Sequence, residues 1–476
     1  MSSRRLPFVV ALLALVVIAM LAGNASARSS SRANTGAAPA IGASGVWFCP
    51  GLPASLQHGP GRVTFANLGT DAADITVTDL PDSGNAATTT FTVGAESTVT
   101  KTRDSLGPPG SLTVESFGGS VVVEEGIESA TANASAPCAS STQTRQFFAA
   151  GSTTRGVHQS VVVENPYASD AKINVTLRTS AGVIQPDAYQ GYDISRRSRI
   201  VIPVDTVAVR QDRVAVEVDA TTGSIVATQT LQYTADAGVP GVTVALGAAS
   251  PSDHWTFPAN FVLAGTTTWV AITNVGGDDA LVDVQAAPDK NVTVAPAAIT
   301  VAQDAVTWLQ VGHCGAQSGN TQSENSCLAV PERLPFVLTA RAERGGSIVA
   351  QLLIRGRDKT SPVSVDAPLG IVDPARRVAY ARSSVTGVTS TSLSVYNPSS
   401  VAAQVSVSLV ANGRTNRPKA LQSISVGPGR RANIVLPAVQ KGPDAAIVVD
   451  ADQPVFVART IVTHNSVAYS AGVDLR

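Results

Sequence analysis

The segment SVVVENPY at residues 160–167, with AKINVTLRT at residues 171–179, decides the predicted fold. Two runs of alternating apolar residues flank an Asn-Pro turn at Asn165. Asn tolerates left-handed backbone angles and Pro fixes its own φ, so this pattern predicts a strand, a turn and a second strand. The chain repeats the pattern three more times, with an Asn at each turn: VTFANLGTDAADITVTDL (63–80, Asn67), WVAITNVGGDDALVDVQA (269–286, Asn274) and LSVYNPSSVAAQVSVSLV (393–410, Asn397).

The four units also share an end. Each closes with a Gly-Ser or Gln-Pro step and an apolar run: GSVVV (119–123), GSIVA (223–227), GSIVA (346–350) and QPVFV (453–457). The third unit is longer than the others because it carries a polar insertion between Cys314 and Cys327. A turn and an end that recur in the same order indicate four copies of one structural unit.

Short alternating runs make up each unit. The fourth unit has about seven of them in roughly 90 residues, which is typical of an immunoglobulin-like antiparallel β-sandwich. A β-propeller with two blades per unit is the alternative, but no short blade motif recurs within a unit. We therefore predict an all-β chain of four tandem immunoglobulin-like antiparallel β-sandwich domains behind an N-terminal signal or anchor segment.

Linkers of Ser, Ala, Gly and Pro separate the predicted domains. Because they are short, they predict a semi-rigid rod of domains. The predicted boundaries are 1–27 for a signal peptide or membrane anchor, 28–44 for a flexible linker, and 45–137, 144–248, 253–370 (with the Cys-containing insertion) and 377–476 for the four β-sandwiches.

The N-terminus has the features of a Sec-type targeting segment. Arg4 and Arg5 precede an apolar run at residues 6–23, and Ala25-Ser26-Ala27 matches a small-x-small cleavage site. The run also approaches the ~20 residues that a membrane helix needs, so cleavage and retention as an anchor both stay open. Either outcome places the rest of the chain outside the cytoplasm, secreted or associated with the cell envelope, and touching the membrane only through an uncleaved segment.

Four cysteines fit an oxidising compartment. The simplest pairing joins neighbours, Cys49 with Cys138 and Cys314 with Cys327. A metal site formed by Cys314, Cys327 and His313 is the alternative, but these ligands match no recognised spacing, and neither a metal nor another cofactor is predicted. The net charge of −1 gives no footprint for nucleic acid as a partner.

The sequence contains no catalytic motif. None of its five histidines lies in HExxH, and no serine lies in a GxSxG elbow. A catalytic triad can assemble from distant residues, so the question stays open, and a non-enzymatic protein is the prediction. The histidines are His58, His158, His254, His313 and His464.

Two acidic turns offer oxygen atoms to a calcium ion. One is DLPDSGN at residues 79–85, and the other contains Asp278, Asp279 and Asp283. Neither has the spacing of an EF-hand, and Asp and Asn are also ordinary turn residues. Calcium binding is therefore left open.

One loop, QPDAYQGYDISRRSR at residues 185–199, is the strongest candidate for binding. Tyr and Arg provide much of the energy of many interfaces, and aromatic faces stack on sugars or peptides. The alternative is that basic residues protect an exposed strand edge, because Arg430 and Arg431 occupy the matching place in the fourth unit. The candidate binding residues are Tyr189, Tyr192, Arg196, Arg197 and Arg199.

The chain resembles a group of exported actinobacterial proteins that form a family of unknown function. The features that carry the resemblance are the signal segment, the segment WFCP at residues 47–50, the Asn-Pro-type turns and a composition rich in Ala, Val, Thr and Arg. The resemblance spans residues 45–476. It implies no activity, substrate or site.

These features predict a non-enzymatic, structural or adhesive protein of the cell envelope that binds a cell-wall polymer or an envelope protein. A second hypothesis is an accessory subunit that docks onto an envelope enzyme or assembly complex. A third, an uncharacterised hydrolase, requires a cleft with convergent acidic and basic groups. Salt separates the first two, because a polymer contact through the arginines weakens as salt rises. The sequence leaves the ligand and the oligomeric state open.

Overall fold

The computed structural model describes residues 44–54, 56, 61–82, 85–128, 133–260, 262–289, 292–314, 327–357, 363–385, 387–437, 444–464 and 466–475. These residues form antiparallel sheets almost throughout, so the all-β prediction is confirmed. The predicted signal or anchor segment lies outside the described residues. Within the described ranges, no helix has the length and apolar character needed to cross a membrane.

Residues 44–137, which we call the first strand group, contain two four-stranded sheets. Alternate residues are buried along β3 of this group, as expected for a strand with one face in a core. The strands are β1 (Ser44–Cys49), β2 (Gly61–Asn67), β3 (Ala73–Pro81), β4 (Ala87–Val93), β5 (Ser97–Thr102), β6 (Gly110–Phe117), β7 (Val121–Glu128) and β8 (Asn133–Pro137). Their orders are β1-β6-β3-β4 and β5-β2-β7-β8.

Residues 145–246, the second strand group, also form two sheets. The strands are β9 (Arg145–Phe148), β10 (Val157–Asn165), β11 (Ala171–Thr179), β12 (Gly182–Ile184), β13 (Tyr192–Ile194), β14 (Ser198–Pro203), β15 (Val214–Thr222), β16 (Val226–Tyr233) and β17 (Gly241–Leu246). Their orders are β14-β10-β16-β17 and β12-β11-β15-β9, and β13 also pairs with β11. A one-turn helix, Val204–Val207, follows β14.

Residues 254–366, the third strand group, repeat this two-sheet arrangement. The strands are β18 (His254–Asn260), β19 (Thr266–Asn274), β20 (Ala280–Pro288), β21 (Ala297–Val301), β22 (Val306–Val311), β23 (Cys327–Leu328), β24 (Phe336–Arg344), β25 (Ile348–Arg357) and β26 (Val363–Asp366). Their orders are β18-β24-β20-β21 and β23-β22-β19-β25-β26.

Residues 375–474 form the fourth strand group, in which one long strand serves two sheets. The strands are β27 (Ala375–Tyr380), β28 (Val388–Tyr396), β29 (Ala403–Ala411), β30 (Arg414–Asn416), β31 (Ile424–Val426), β32 (Arg431–Val435), β33 (Ala446–Thr463), β34 (Ser466–Ala471) and β35 (Val473–Asp474). The first part of β33 pairs with β27 and β29, and its second part pairs with β28 and β34.

One edge strand from each group meets its counterparts. β8 contacts β17, β17 contacts β26, β26 pairs in parallel with β34, and β34 contacts β8. In the first of these contacts, Ala134 and Ala136 of β8 pack with Val242 and Val244 of β17. The series of groups is therefore closed, because the fourth group returns to the first.

The core of the first group extends into the fourth. Trp47 and Phe65 belong to one buried apolar cluster with Ala379 and Val448. The segment AIVV at residues 446–449 is buried throughout, so this part of β33 needs cover on both faces. The first group supplies that cover. The prediction of a rod is therefore wrong, because the described residues all belong to one compact unit, Asn34–Arg476, and its first and last groups are in contact. The predicted domain boundaries stay a prediction.

Both predicted disulfides are confirmed. Cys49 at the end of β1 is bonded to Cys138 just after β8, and their Cα atoms are 4.8 Å apart. Cys314 is bonded to Cys327, with Cα atoms 5.7 Å apart, which closes the insertion of the third group. Two such bonds are typical of proteins of oxidising compartments outside the cytoplasm.

Each of the four repeated asparagines acts as a buried bracket. The Asn165 Nδ2 group donates to the carbonyl oxygens of Ser169 (2.8 Å), Ile194 (3.2 Å) and Ser195 (3.2 Å). Its Oδ1 accepts the N–H of Tyr167 at 3.1 Å. One side chain thus ties the turn after β10 to the end of β13. The same bonds recur at Asn67 (Asp71, Val93, Gly94; N–H of Gly69), Asn274 (Asp278, Val301, Ala302; N–H of Gly276) and Asn397 (Val401, Val426, Gly427; N–H of Ser399).

The sequence pattern located these turns but gave the wrong reason for the asparagine. None of Asn67, Asn165, Asn274 and Asn397 has a positive φ. The residue is required for its side chain, which offers a donor and an acceptor in a fixed arrangement. Buried backbone groups at a strand end need such partners.

We expect Asn165→Ala to destabilise the protein, because the buried carbonyl of Ile194, two partly buried carbonyls and one N–H lose their partner. Each buried unsatisfied group costs about 1–3 kcal/mol, so the free energy of unfolding falls by at least about 2 kcal/mol. Urea denaturation measures this. Asn416→Ala, at an exposed position on β30, is the matched control and stays within about 0.5 kcal/mol of the wild type. Equal stability of the two variants would contradict the bracket.

Candidate functional site

The predicted binding loop brings its two tyrosines together. The rings of Tyr189 and Tyr192 lie 5.8 Å apart at an angle of 50°. Tyr189 ends a 3₁₀ turn and packs partly against the core of the second group. Tyr192 begins β13 and is 38% exposed. The pair therefore offers one ring, that of Tyr192, to the surface.

Arg196 and Arg197 also lie on the surface, in the segment that follows this pair. They form the turn between β13 and β14, and both residues are exposed. Backbone bonds fix the turn: the Arg196 N–H donates to Asp170 Oδ1 (2.8 Å) and the Arg197 N–H to Tyr167 O (2.8 Å). The two guanidinium groups make no ion pair with a described residue. Both remain available to an anionic or hydroxylated ligand.

Arg199, the fifth predicted binding residue, does not lie on this surface. Its side chain is fully buried between the first and second groups. Nε and Nη2 donate to the two carboxylate oxygens of Asp82 at 2.6 and 3.0 Å. Nη1 donates to the carbonyl oxygen of Pro50 at 2.8 Å. Gly51 lies beside this group with φ of +79°, and a Cβ there would lie 2.8 Å from Nη1. Arg199 thus joins two strand groups.

Buried arginines cross every contact between successive strand groups in the described residues. Their side chains are between 0 and 6% exposed, and each reaches a carboxylate of another group. The alternative interpretation of a protected strand edge is also incomplete, because Arg431 pairs across a contact just as Arg199 does. The pairs are Arg199–Asp82 (first and second groups), Arg178–Asp304 (second and third, 2.9 Å), Arg431–Asp289 (third and fourth, 2.6 Å), and Arg382–Glu128 (2.8 Å) and Arg459–Glu124 (3.1 Å), both between the fourth and first.

The contact between the first and second groups holds an excess of acidic side chains. Asp79 is paired with Arg103, while Asp82 is paired with Arg199. Glu125 accepts the Gly51 N–H at 3.1 Å, and burial raises its pKa to about 7 although Arg103 and Arg199 oppose this. This contact thus holds four carboxyl groups but two guanidinium groups. The acids are Asp79, Asp82, Glu125 and Glu164, and the bases are Arg103 and Arg199.

Glu164 is the most strongly affected of these acids. Burial, and then the charge of Glu125, raise its pKa to about 8. Oε1 lies 3.4 Å from the Thr113 hydroxyl. The protonated form is thus the stable one in the folded protein at neutral pH.

A small cleft of about 150 Å³ opens beside these acids. Glu125, Arg62 and Arg103 are among its lining residues. Glu125 is enclosed and its partners hold it in place. A larger cavity, of about 440 Å³, lies between the third and fourth groups and is lined by residues of both, including Tyr396 and Phe456. Sequence reasoning missed this cavity because its walls come from several strands that are distant from one another along the chain.

Three of the histidines are engaged with nearby carboxylates, whereas His464 lies exposed after β33. His158 Nδ1 lies 2.9 Å from Asp205, His254 Nδ1 lies 2.6 Å from Asp253, and His313 Nδ1 lies 3.3 Å from Glu332. These are surface ion-pair positions in loops and at strand ends. His58 lies outside the described residues.

The described residues hold one group of three possible metal ligands, Cys49, Cys138 and Glu125, within 4.8 Å of one another. The two sulfur atoms form a disulfide, so this group does not fit a metal ion. In the acidic turns, Asp82 pairs with Arg199, and Asp279 accepts the Gln303 N–H at 2.9 Å. These contacts give the first turn and part of the second a structural explanation.

Comparison with known proteins finds a similarity to a family without an assigned activity. The profile of the family of unknown function DUF5719 matches residues 119–347, just under half of the chain. No curated protein matches. The solved structures that match include "Thermotoga maritima 1070" (14% identity, 22% of this chain, 92% of that chain, TM-score 0.20) and the "tetra-tandem repeat in extending region of large adhesion protein" (12% identity, 91% of this chain, 100% of that chain, TM-score 0.11). At these TM-scores neither carries an argument about fold or function.

The buried acids predict a dependence of stability on pH. The pKa of Glu164 is higher in the folded protein than its ordinary value of 4.5, so the folded state binds more protons between those values. The free energy of unfolding therefore falls as pH rises from 5 to about 8, by on the order of a few kcal/mol for this residue. Denaturation at several pH values measures the slope, to which Glu125 and Asp366 also contribute.

Glu164→Gln keeps the shape and removes the charge, so it reduces this slope and stabilises the protein at pH 8. Glu115→Gln, at an exposed position on β6, is the matched control and leaves the slope unchanged. An unchanged slope in the Glu164 variant would contradict the assignment.

Proposed function

We propose that this chain is an exported, non-enzymatic protein of four immunoglobulin-like β-sandwich repeats, one for each strand group, that binds a polymer or a protein of the cell envelope. The common bracket at Asn67, Asn165, Asn274 and Asn397 supports the repeat. The two disulfides and the predicted targeting segment support export, and an actinobacterial envelope is the expected setting.

The observation that carries this proposal is the structural role of the buried arginines. The buried arginines of the described residues join one strand group to another. A catalytic centre needs acidic or basic groups that reach a substrate, whereas these guanidinium groups are enclosed and paired. Such an arrangement suits a protein whose work is to hold surfaces in fixed positions.

The surface that this framework presents includes the loop with Tyr192, Arg196 and Arg197. An exposed ring on the same loop as two exposed guanidinium groups is a favourable contact for a polymer that carries both hydroxyl and anionic groups. The ring of Tyr189 lies 5.8 Å from that of Tyr192. Arg199 is left out of this surface because it is buried.

The proposal predicts that the purified protein co-sediments with washed cell-wall material at low salt and less at high salt, because exposed charges are screened. Arg196→Ala/Arg197→Ala reduces this binding without changing the thermal midpoint. Arg414→Ala/Arg417→Ala removes the same charge from another exposed loop and is the matched control.

The alternative, an accessory subunit, predicts a different result in the same experiment. Washed wall material would not bind, and one membrane protein would be recovered from a detergent extract in stoichiometric amount at either salt concentration. An apolar interface centre gives that resistance to salt.

A further inference from the structure

The cavity between the third and fourth strand groups has walls of two different kinds. One wall is the sheet formed by β18, β24 and β20, and the other is formed by the end of β28 and the middle of β33. Its volume of about 440 Å³ lies in the range of small-ligand sites, roughly 300–1,000 Å³.

The wall from the fourth group is aromatic. Tyr396 and Phe456 are directly opposite each other on β28 and β33, and their rings stack at 6.1 Å and 18°. Tyr396 is half-buried, and burial raises the pKa of its hydroxyl. In the described part of the chain this hydroxyl has no hydrogen-bond partner. The wall thus offers an apolar ring face and an unused polar group at its edge.

The wall from the third group is polar, because alternate residues of its strands point to one face. Asp283 on β20 lies opposite Arg341 on β24, and Gln285 lies opposite Thr339. Gln285 donates to Asp283 at 2.6 Å. Arg341 lies 3.6 Å from Glu343. Acidic, basic and amide groups therefore lie at short spacing, and the row contains both signs of charge.

The corresponding contact between the first and second groups is closed. On neighbouring strands, Glu164 lies opposite Arg199 just as Tyr396 lies opposite Arg431. There, Glu164 is fully buried and reaches Thr113, whose register position on β6 corresponds to that of Thr339 on β24. The cavity between the third and fourth groups therefore has no counterpart at this position of the contact between the first and second groups.

The walls of the cavity are held in place before any ligand binds. Arg431 donates to both carboxylate oxygens of Asp289 at 2.9 and 2.6 Å, and its side chain is buried. Its Nη1 also donates to the Ser394 hydroxyl at 2.7 Å. A site that is formed in advance loses less conformational entropy when it binds.

We propose that this cavity binds a segment of an uncharged oligosaccharide, an inference that rests on the proposed envelope function and names the chemistry of its ligand. The apolar C–H face of a sugar ring packs on the Tyr396–Phe456 wall, as apolar faces do on aromatic rings. Its hydroxyls, which both donate and accept, match the mixed row of Asp283, Gln285 and Arg341. A strongly charged ligand fits less well, because the row contains both signs.

The test uses the purified full-length protein and titration calorimetry with defined neutral oligosaccharides of four to six hexose or pentose units. We expect saturable binding that changes little with salt. Tyr396→Ala weakens it about tenfold or more, which corresponds to the loss of one aromatic contact. Tyr396→Phe keeps most of the affinity, and Asp283→Asn weakens it severalfold. Unchanged thermal midpoints show that the variants are folded.

Tyr192→Ala is the matched control, because it removes an exposed tyrosine from the other candidate surface. Loss of oligosaccharide binding in this variant instead of Tyr396→Ala would overturn the inference. So would saturable, salt-sensitive binding of pentalysine that Asp283→Asn abolishes, which would make the cavity a site for basic peptides. Absence of oligosaccharide binding while wall co-sedimentation persists would overturn the inference and leave the proposed function standing.

Discussion

A guanidinium group enclosed between sheets must be paired, because an unpaired buried charge costs several kcal/mol. The described strand groups meet at contacts that all contain such a pair, with Arg199–Asp82 and Arg459–Glu124 as examples. Removing one partner of a buried pair costs about 3–5 kcal/mol, so only one relative placement of neighbouring groups satisfies each arginine. The closed series of groups depends on this constraint.

The surfaces available for binding follow from that framework. The asparagine brackets fix the turns within each group, and the arginine pairs fix the groups against each other. The loop with Tyr192 and the cavity beside Tyr396 are therefore held by packing and hydrogen bonds made elsewhere. Sites that are ordered in advance lose less conformational entropy when a ligand binds.

The sequence was sufficient for features that depend on local pattern. Alternating runs and the recurring Asn67, Asn165, Asn274 and Asn397 predicted strands and turns, and neighbouring cysteines predicted both disulfides. It was insufficient where partners are distant. Arg199 and Asp82 are 117 residues apart, so a cluster of arginines in one loop suggested a surface, whereas the fold buries one of them. The closure of the series and the cavity beside Tyr396 depend on the same kind of distant contact.

The closure can be tested most directly by a cross-link between the first and fourth groups. The Thr415 hydroxyl donates to Glu96 Oε1 at 2.6 Å, and the Gly413 N–H donates to Glu96 O at 3.1 Å. Mild oxidation of the Glu96→Cys/Thr415→Cys variant should give a monomer with an added internal loop, which migrates faster on a non-reducing gel. A variant that forms only intermolecular dimers, or no cross-link, would contradict a closed series and favour an open chain of domains.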